Sequence, residues 1–139
     1  MDHTATISRF YELVNAGEID QFGALLADDF VEHEVTPGLA PTKAGVLQFF
    51  HMNLAAFPDF RMTPEEILPS GNTVVARVRL TGTNRGSFMG MPATGKPVDI
   101  QLIDIIRSGD DGLAHEHWGV VDALAMMQQL GLAPTGPAV

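Results

Sequence analysis

Apolar and polar positions divide this chain into a helical first part and a second part of strands. Ile7, Phe10 and Val14 recur at the spacing of an amphipathic helix, Tyr11 lies on the same stripe, and Gly17 ends the pattern. Short apolar stretches and a Thr42 cap position predict the remaining elements of the first part. They are helices over residues 20–27 and 42–56, with a short strand over residues 30–35 between them.

From residue 60 onward the apolar positions follow period two, which is typical of half-buried strands. Pro64 indicates that the first of these strands lies at an edge or contains a bulge. Helices followed by antiparallel strands predict an α+β fold in which helices cover one face of a curved sheet. The predicted strands cover residues 60–68, 74–84, 97–107 and 113–121, and a last helix covers residues 122–130.

Composition narrows the class of protein. The 139 residues contain 45% hydrophobic and 18% charged side chains, which suits one folded domain over residues 1–132 with a loose tail over residues 133–139. A formal charge of -9 argues against nucleic acid and anionic membranes as partners. There is no cysteine, no apolar run long enough to cross a membrane and no signal-peptide pattern at the N-terminus, so a cytoplasmic location is expected.

Two polar residues fall on positions that the strand pattern predicts to be buried. Asn84 continues the apolar phase of its strand, and Asp104 lies between Leu102 and Ile106 on the apolar face of the next strand. Burial would raise the pKa of an aspartate at this position. Asp104 is therefore either a pocket residue or a structural hydrogen-bonding group, and the residues alone leave both interpretations open.

Residues 114–122 form the densest group of ionisable side chains in the chain. Strict alternation places Glu116, Trp118 and Asp122 on one face of the strand. A tight turn before this strand would bring Asp104 close to Glu116 across the hairpin. Two neighbouring carboxylates have separated pKa values, which is one way to obtain an acid and a base.

The other face of the same strand carries His115 and His117, unless a bulge at Gly119 changes the phase. A His-x-His pair binds a metal ion only with further ligands, and His33 or a carboxylate could supply one. Since no spacing in the sequence fixes such a ligand, we predict no metal site. His33 is interpreted instead as a pocket residue.

Asp122 precedes the last predicted helix. It can cap the helix by accepting a hydrogen bond from a backbone N–H, or it can act as a general base aimed into the fold. The residues alone do not separate these two roles. Apolar side chains that would line a pocket include Phe50, together with Phe88 and Met91 in the loop over residues 85–96.

Three segments of the chain carry a resemblance to a known family. Residues 82–95, residues 116–122 followed by Gln129-Leu130-Gly131, and residues 56–59 resemble the SnoaL-like polyketide cyclases of the NTF2-like superfamily. The resemblance implies a cone-shaped barrel in which three to four helices wrap a curved, mostly antiparallel sheet around an apolar cavity. It also implies a homodimer or homotetramer that uses neither metal nor cofactor.

The activity implied by the resemblance is an intramolecular aldol condensation, or related carbanion chemistry, on a hydrophobic polyketide-like carbonyl compound. Asp122 matches the position of the general acid/base, and His117 would assist it. Asn84 stands where the family often has histidine. Asparagine can donate a hydrogen bond to the enolate oxygen but cannot carry a proton at neutral pH, so His117 or His33 would take the place of the family's histidine. The residues expected around the substrate are His33, Asn84, Asp104, Glu116, Trp118, Phe50, Phe88 and Met91.

Two alternatives use the same scaffold. The first is a binding protein that holds a hydrophobic ligand without chemistry. The second is a cofactor-independent hydroxylase or hydrolase, because fold alone does not determine the reaction.

Overall fold

A computed structural model describes residues 2–136. Within these residues the chain forms four helices and five strands in the predicted order. Pro134, Thr135 and Gly136 belong to the predicted tail and form no regular structure, and residues 137–139 of that tail lie outside the described residues. The elements are α1 Thr4–Asn15, α2 Ile19–Gly23, β1 Leu26–Glu32, α3 Lys43–Ala56, β2 Arg61–Ser70, β3 Thr73–Thr83, β4 Pro97–Ser108, β5 Ala114–Val121 and α4 Ala123–Gln129.

The five strands form one sheet in the order β1-β5-β4-β3-β2. Strands β2 to β5 pair with their neighbours in antiparallel fashion, whereas β1 pairs in parallel with β5. The predicted α+β fold with a mostly antiparallel sheet is thereby confirmed. Strand β2 is an edge strand, and its register shifts between Pro64 and Glu66, as expected where proline removes a backbone donor.

The core lies between the inner face of the sheet and the helices. Helix α1 packs Ile7, Phe10 and Val14 into this core and is tied to β2 by Asn15, whose side chain bonds both backbone groups of Met62 at 2.7 and 2.8 Å. Period-two alternation holds along both central strands. The buried apolar residues of β3 and β4 are Val74, Ala76, Val78, Leu80, Val98, Ile100, Leu102 and Ile106.

The structure corrects the predicted boundaries of two elements. Helix α2 ends at Gly23 instead of residue 27, and β1 runs from Leu26 to Glu32 instead of from residue 30 to residue 35. Leu25 accepts a backbone hydrogen bond from Ala114, and Leu26 pairs with Ala114 in the parallel ladder. Pairing with β5 therefore extends this segment and overrides its local helical pattern.

Helix α3 is the longest helix, with 14 residues. Thr42 caps it as predicted, because its side-chain oxygen accepts a hydrogen bond from the Gly45 amide at 3.3 Å. The helix ends before Phe57, the residue that precedes Pro58.

Among the described residues no helix has both the length and the apolar character needed to cross a bilayer.

Candidate active site

A histidine is held between two carboxylates on the inner face of the sheet. His117 Nδ1 lies 2.5 Å from Glu32 Oε2, and its Nε2 lies 2.7 Å from Asp104 Oδ1. The sheet register explains the contacts, because Glu32 of β1 is the direct partner of His117 while Asp104 of β4 lies opposite Gly119. All three side chains are largely buried, with exposed fractions of 16%, 15% and 11% for Glu32, His117 and Asp104.

Helix α1 contributes a phenol to the same group. The hydroxyl of Tyr11 donates a hydrogen bond to Asp104 Oδ2 at 2.7 Å, so each oxygen of this carboxylate accepts one side-chain hydrogen bond. Burial, together with the neighbouring charge of Asp104, raises the pKa of the Tyr11 hydroxyl. Tyr11 therefore remains a hydrogen-bond donor at neutral pH.

Opposing effects act on His117. Burial alone lowers the pKa of its imidazole, because it disfavours the charged form. The hydrogen bonds and negative charges of Asp104 and Glu32 outweigh burial and raise this pKa to about 10. His117 is thus an imidazolium at neutral pH, and both ring nitrogens donate to carboxylates.

A third carboxylate, that of Glu34, lies beside this network. Burial raises the pKa of the half-buried Glu34 carboxyl, and the charges of Asp104 and Glu32 act in the same direction, whereas His117 opposes them. We call Tyr11, Glu32, Glu34, Asp104 and His117 the inner cluster. Its composition is that of an acid–base site: three carboxyl groups, one phenol and one cation.

Distance alone would allow a cation in the inner cluster. One ligand atom from each of Glu34, Asp104 and His117 lies within 4.8 Å of the others. However, a metal ligand must present a free lone pair, and His117 uses Nδ1 for Glu32 and Nε2 for Asp104. His117 and Asp104 instead form a hydrogen-bonded acid–base network with Glu32 and Tyr11. His115, the other member of the His-x-His pair, does not join them, because it contacts Asp111.

Several residues predicted for the pocket lie on the opposite face of the sheet. The ring of His33 stacks on Trp118 with 4.5 Å between centroids and 6° between planes, and Arg107 covers the same indole at 4.8 Å. Glu116 joins them, at 2.9 Å from His33 and 3.3 Å from Arg107. We call these four residues the outer cluster; alternation along β5 separates it from His117, as predicted.

The predicted proximity of Asp104 and Glu116 is wrong. Asp104 is paired with Gly119 and Glu116 with Arg107, so the two carboxylates lie on different faces. The register shift occurs next to the turn, after Arg107, and not at Gly119. His115 belongs to neither cluster, since its Nε2 is 2.9 Å from Asp111.

Asn84 is buried but serves the fold. Its side-chain oxygen accepts from the Thr94 amide at 2.7 Å, and its side-chain nitrogen donates to the carbonyls of Gly86 at 2.8 Å and Ala56 at 3.4 Å. Three backbone segments are joined by this one amide. The Asn84 side chain therefore anchors the loop over residues 85–96 and makes no hydrogen bond to the inner cluster.

The predicted apolar lining residues are part of the packing. Phe50 makes edge-to-face contacts with Phe22 and Phe60, at 5.2 and 6.4 Å between centroids. Phe88 packs on Phe57 at 5.3 Å and forms a backbone bridge with Met91.

Two depressions on the described surface contain none of the predicted site residues. The first is lined by His3, Gly71, Asn72, Gly109 and Asp110, and the second by Glu12, Asn15, Ala16 and Arg61.

Asp122 is exposed at the start of α4. Its carboxylate accepts a hydrogen bond from the Ala125 amide at 3.1 Å, which is the capping role. The structure does not bring Asp122 to the inner cluster. The acid/base role that the resemblance implies for Asp122 stays a prediction, and the observed geometry gives it no contact with His117.

Sequence reasoning missed Tyr11, Glu32 and Glu34. Continuing the period-two pattern of β1 from the buried Phe30 places Glu32 and Glu34 on the same inner face, and this alternation is the signal that could have found them. In the sequence Tyr11 is visible only as part of the apolar stripe of α1. Its hydroxyl required a buried partner, and the partner is Asp104.

Comparison with known proteins identifies the family. The sequence profile of the SnoaL-like polyketide cyclases matches residues 5–130. The chain belongs to this family. The cyclase DnrD of Streptomyces peucetius, named for aklanonic acid methyl ester, is 27% identical over 128 residues, which cover 90% of this chain and 88% of DnrD.

Solved structures of similar proteins share the SnoaL-like fold. IdmH of Streptomyces antibioticus, a proposed polyketide cyclase, is 33% identical with a TM-score of 0.80 over 93% of this chain and 98% of IdmH. AclR of Streptomyces galilaeus, a proposed hydroxylase, is 26% identical with a TM-score of 0.84 over 98% of this chain and 85% of AclR. The predicted resemblance and the NTF2-like fold class are confirmed, and the family supports a cyclase-type function.

The capping geometry predicts the effects of replacing Asp122. Asp122→Asn should leave both the free energy of unfolding and turnover nearly unchanged, because asparagine caps a helix as well as aspartate does. Asp122→Ala should lower the free energy of unfolding by about 1 kcal/mol. Chemical denaturation and a turnover assay check these results, and a folded Asp122→Asn protein without turnover would restore the acid/base interpretation.

The raised pKa of His117 predicts a pH-dependent stability. Because this pKa is about 10 in the fold and about 6.5 for an unperturbed histidine, the His117 contribution is complete below pH 6.5 and is lost as pH rises through 10. Urea unfolding between these pH values should show falling stability in the wild type and a weaker fall in His117→Gln. The exposed His51→Gln is the matched control, and an unchanged slope in His117→Gln would contradict the assignment.

Proposed function

We propose that this SnoaL-like protein closes a ring by cofactor-free acid/base catalysis on a hydrophobic, polyketide-like carbonyl compound. The reaction would be an intramolecular aldol condensation or a related carbanion step. The observation that carries the proposal is the inner cluster, where three carboxyl groups surround a buried imidazolium.

The chemistry of ring closure suits these groups. A proton must leave the carbon next to a carbonyl, and the resulting enolate carbon must meet a second carbonyl of the same molecule. An extended conjugated ketone delocalises the negative charge itself, so the protein has to supply orientation, one proton-transfer group and a largely water-free site. The inner cluster offers carboxylates for proton transfer and a fixed positive charge beside them.

His117 acts as a positioning residue in this proposal. Since both of its nitrogens already donate to Glu32 and Asp104, the imidazolium fixes the carboxylates and partly neutralises their charge. Tyr11 completes the arrangement by holding the other oxygen of Asp104. The side chains that carry the network come from α1, β1, β4 and β5, so the fold itself sets the geometry.

A hydroxylation is the second candidate, favoured by the close structural match to AclR. The two reactions differ in the mass of the product. Ring closure leaves the mass unchanged or lowers it by one water, whereas hydroxylation adds one oxygen atom. The homo-oligomer and the cytoplasmic location stay predictions that come from the resemblance and from composition.

Aklanonic acid methyl ester is the first substrate to test, because DnrD carries its name. We expect a ring-closed product of unchanged or water-depleted mass by liquid chromatography and mass spectrometry. Tyr11→Phe should lower kcat by roughly tenfold or more, since it removes one hydrogen bond to a charged carboxylate. The matched control is Phe49→Tyr, which adds a hydroxyl group to α3 instead of removing one from α1.

Three results would count against the proposal. A product heavier by one oxygen atom would favour the hydroxylase. Ligand binding with no change of mass and no ring closure would favour a binding protein. Full turnover in Tyr11→Phe would indicate that the inner cluster does not take part in the reaction.

A further inference from the structure

Glu34 differs from the other members of the inner cluster in its hydrogen bonding. Both carboxylate oxygens of Asp104 are occupied, by His117 and Tyr11, and Glu32 accepts from His117. Among the described residues no hydrogen bond to the Glu34 carboxylate is present. Among these three carboxyl groups, Glu34 is thus the one with no hydrogen bond on either oxygen within the described residues, which leaves it able to exchange a proton with a bound molecule.

The space that holds the Glu34 carboxylate is provided by a glycine. A Cβ atom at Gly119 would collide with Glu34 Oε2 and would come within 2.8 Å of His117 Cε1. Gly119 has ordinary strand geometry and pairs with Asp104, so the backbone itself does not demand glycine. The requirement comes from the Glu34 carboxylate, which is the nearest group, and from the His117 ring.

We propose that Glu34 is the catalytic residue that removes and returns the proton during ring closure, and that Gly119 is a positioning residue that makes room for its carboxylate. This inference rests on the proposed function. It assigns the proton transfer to a residue that lies in the loop after β1, whereas the resemblance assigns it to Asp122.

The proton balance closes within the site. The Glu34 carboxylate takes a proton from the carbon next to a carbonyl, and the electron pair of the broken C–H bond becomes the enolate. The enolate carbon then forms the new C–C bond with the second carbonyl carbon, whose π electrons become an alkoxide. The Glu34 carboxylic acid returns its proton to that alkoxide, so the cyclic alcohol is an isomer of the substrate and the enzyme is regenerated.

The surroundings of Glu34 favour this role. Burial raises the pKa of its carboxyl group, the cation of His117 lowers it, and the charges of Asp104 and Glu32 raise it. The groups that face it therefore come from β1, β4 and β5, with Tyr11 of α1 acting on Asp104. A carboxylate with a raised pKa is a stronger base than an exposed one.

Variants at both positions test the assignment. Glu34→Gln should lower kcat by about 10²-fold or more with the fold intact by circular dichroism. Glu12→Gln, an exposed change on α1, should retain wild-type turnover. Gly119→Ala should also lower kcat, because the added methyl group displaces the Glu34 carboxylate.

A rescue experiment distinguishes positioning from a general structural defect. In the Glu34→Ala/Gly119→Asp protein the Cβ of the new aspartate lies beside the position that Glu34 Oε2 occupied, so its carboxylate enters the same space and part of the lost turnover should return. The Glu34→Ala/Gly119→Asn protein has the same shape without the base and should remain inactive. Wild-type turnover in Glu34→Gln, or equal turnover in the two double variants, would overturn the proposal.

A readout without substrate separates this inference from the proposed function. Carboxyl ¹³C NMR of the whole protein should show Glu34 titrating above the ordinary glutamate pKa of about 4.3, and closer to that value in Gly119→Ala. A wild-type protein that does not close the ring of aklanonic acid methyl ester would count against the proposed function alone if this titration is observed. An ordinary Glu34 pKa in the wild type, unchanged in Gly119→Ala, would overturn the role of Glu34.

Discussion

The buried pairing of the His117 cation with Glu32 and Asp104 is the interaction on which the rest of the site depends. A charge taken out of water is costly unless hydrogen bonds and opposite charges compensate it. Here each ring nitrogen of His117 has a carboxylate partner, and Asp104 has a second donor in Tyr11. Removing one member would leave its partners buried and unpaired, so the network acts as a unit.

The two faces of the sheet carry different chemistry because β-strand residues alternate. In β5, His117 faces the core with Asp104, while Glu116 and Trp118 face outward with Arg107. Glu32, the last residue of β1, faces inward and the following residue His33 faces outward, and the parallel pairing of β1 with β5 aligns the two patterns. A register slip of one residue in either strand would exchange the clusters, which makes the register of this pair essential to the site.

Sequence patterns were sufficient for the architecture, because long apolar stripes report which face of an element is buried. The stripe of α1, the alternation of β3 and the bulge at Pro64 all appear as predicted. The position of β1 did not follow from local pattern, since long-range pairing with β5 defines it.

For the site, the alternation of apolar and polar residues identified His117 and the buried Asp104 as candidates, but it did not identify their hydrogen-bond partners. Whether two strands place their carboxylates around one imidazole depends on strand order and register, which a single sequence does not contain. The same limit explains Asp122: the sequence allowed a cap or a base, and the geometry shows the cap. The sequence also does not show why residue 119 is glycine, because the reason is the position of the Glu34 carboxylate in the folded protein.

The inner cluster depends on the buried His117 ring being a cation at neutral pH. ¹⁵N NMR of the histidine side chains at about pH 8, well above the pKa of an unperturbed imidazole, tests it directly. We expect both ring nitrogens of His117 to carry a proton at pH 8, and one of these protons to be lost only as pH rises through 10. A His117 ring with one unprotonated nitrogen at pH 8 would show that the buried ring is neutral and would rule out the proposed ion pairing with Glu32 and Asp104.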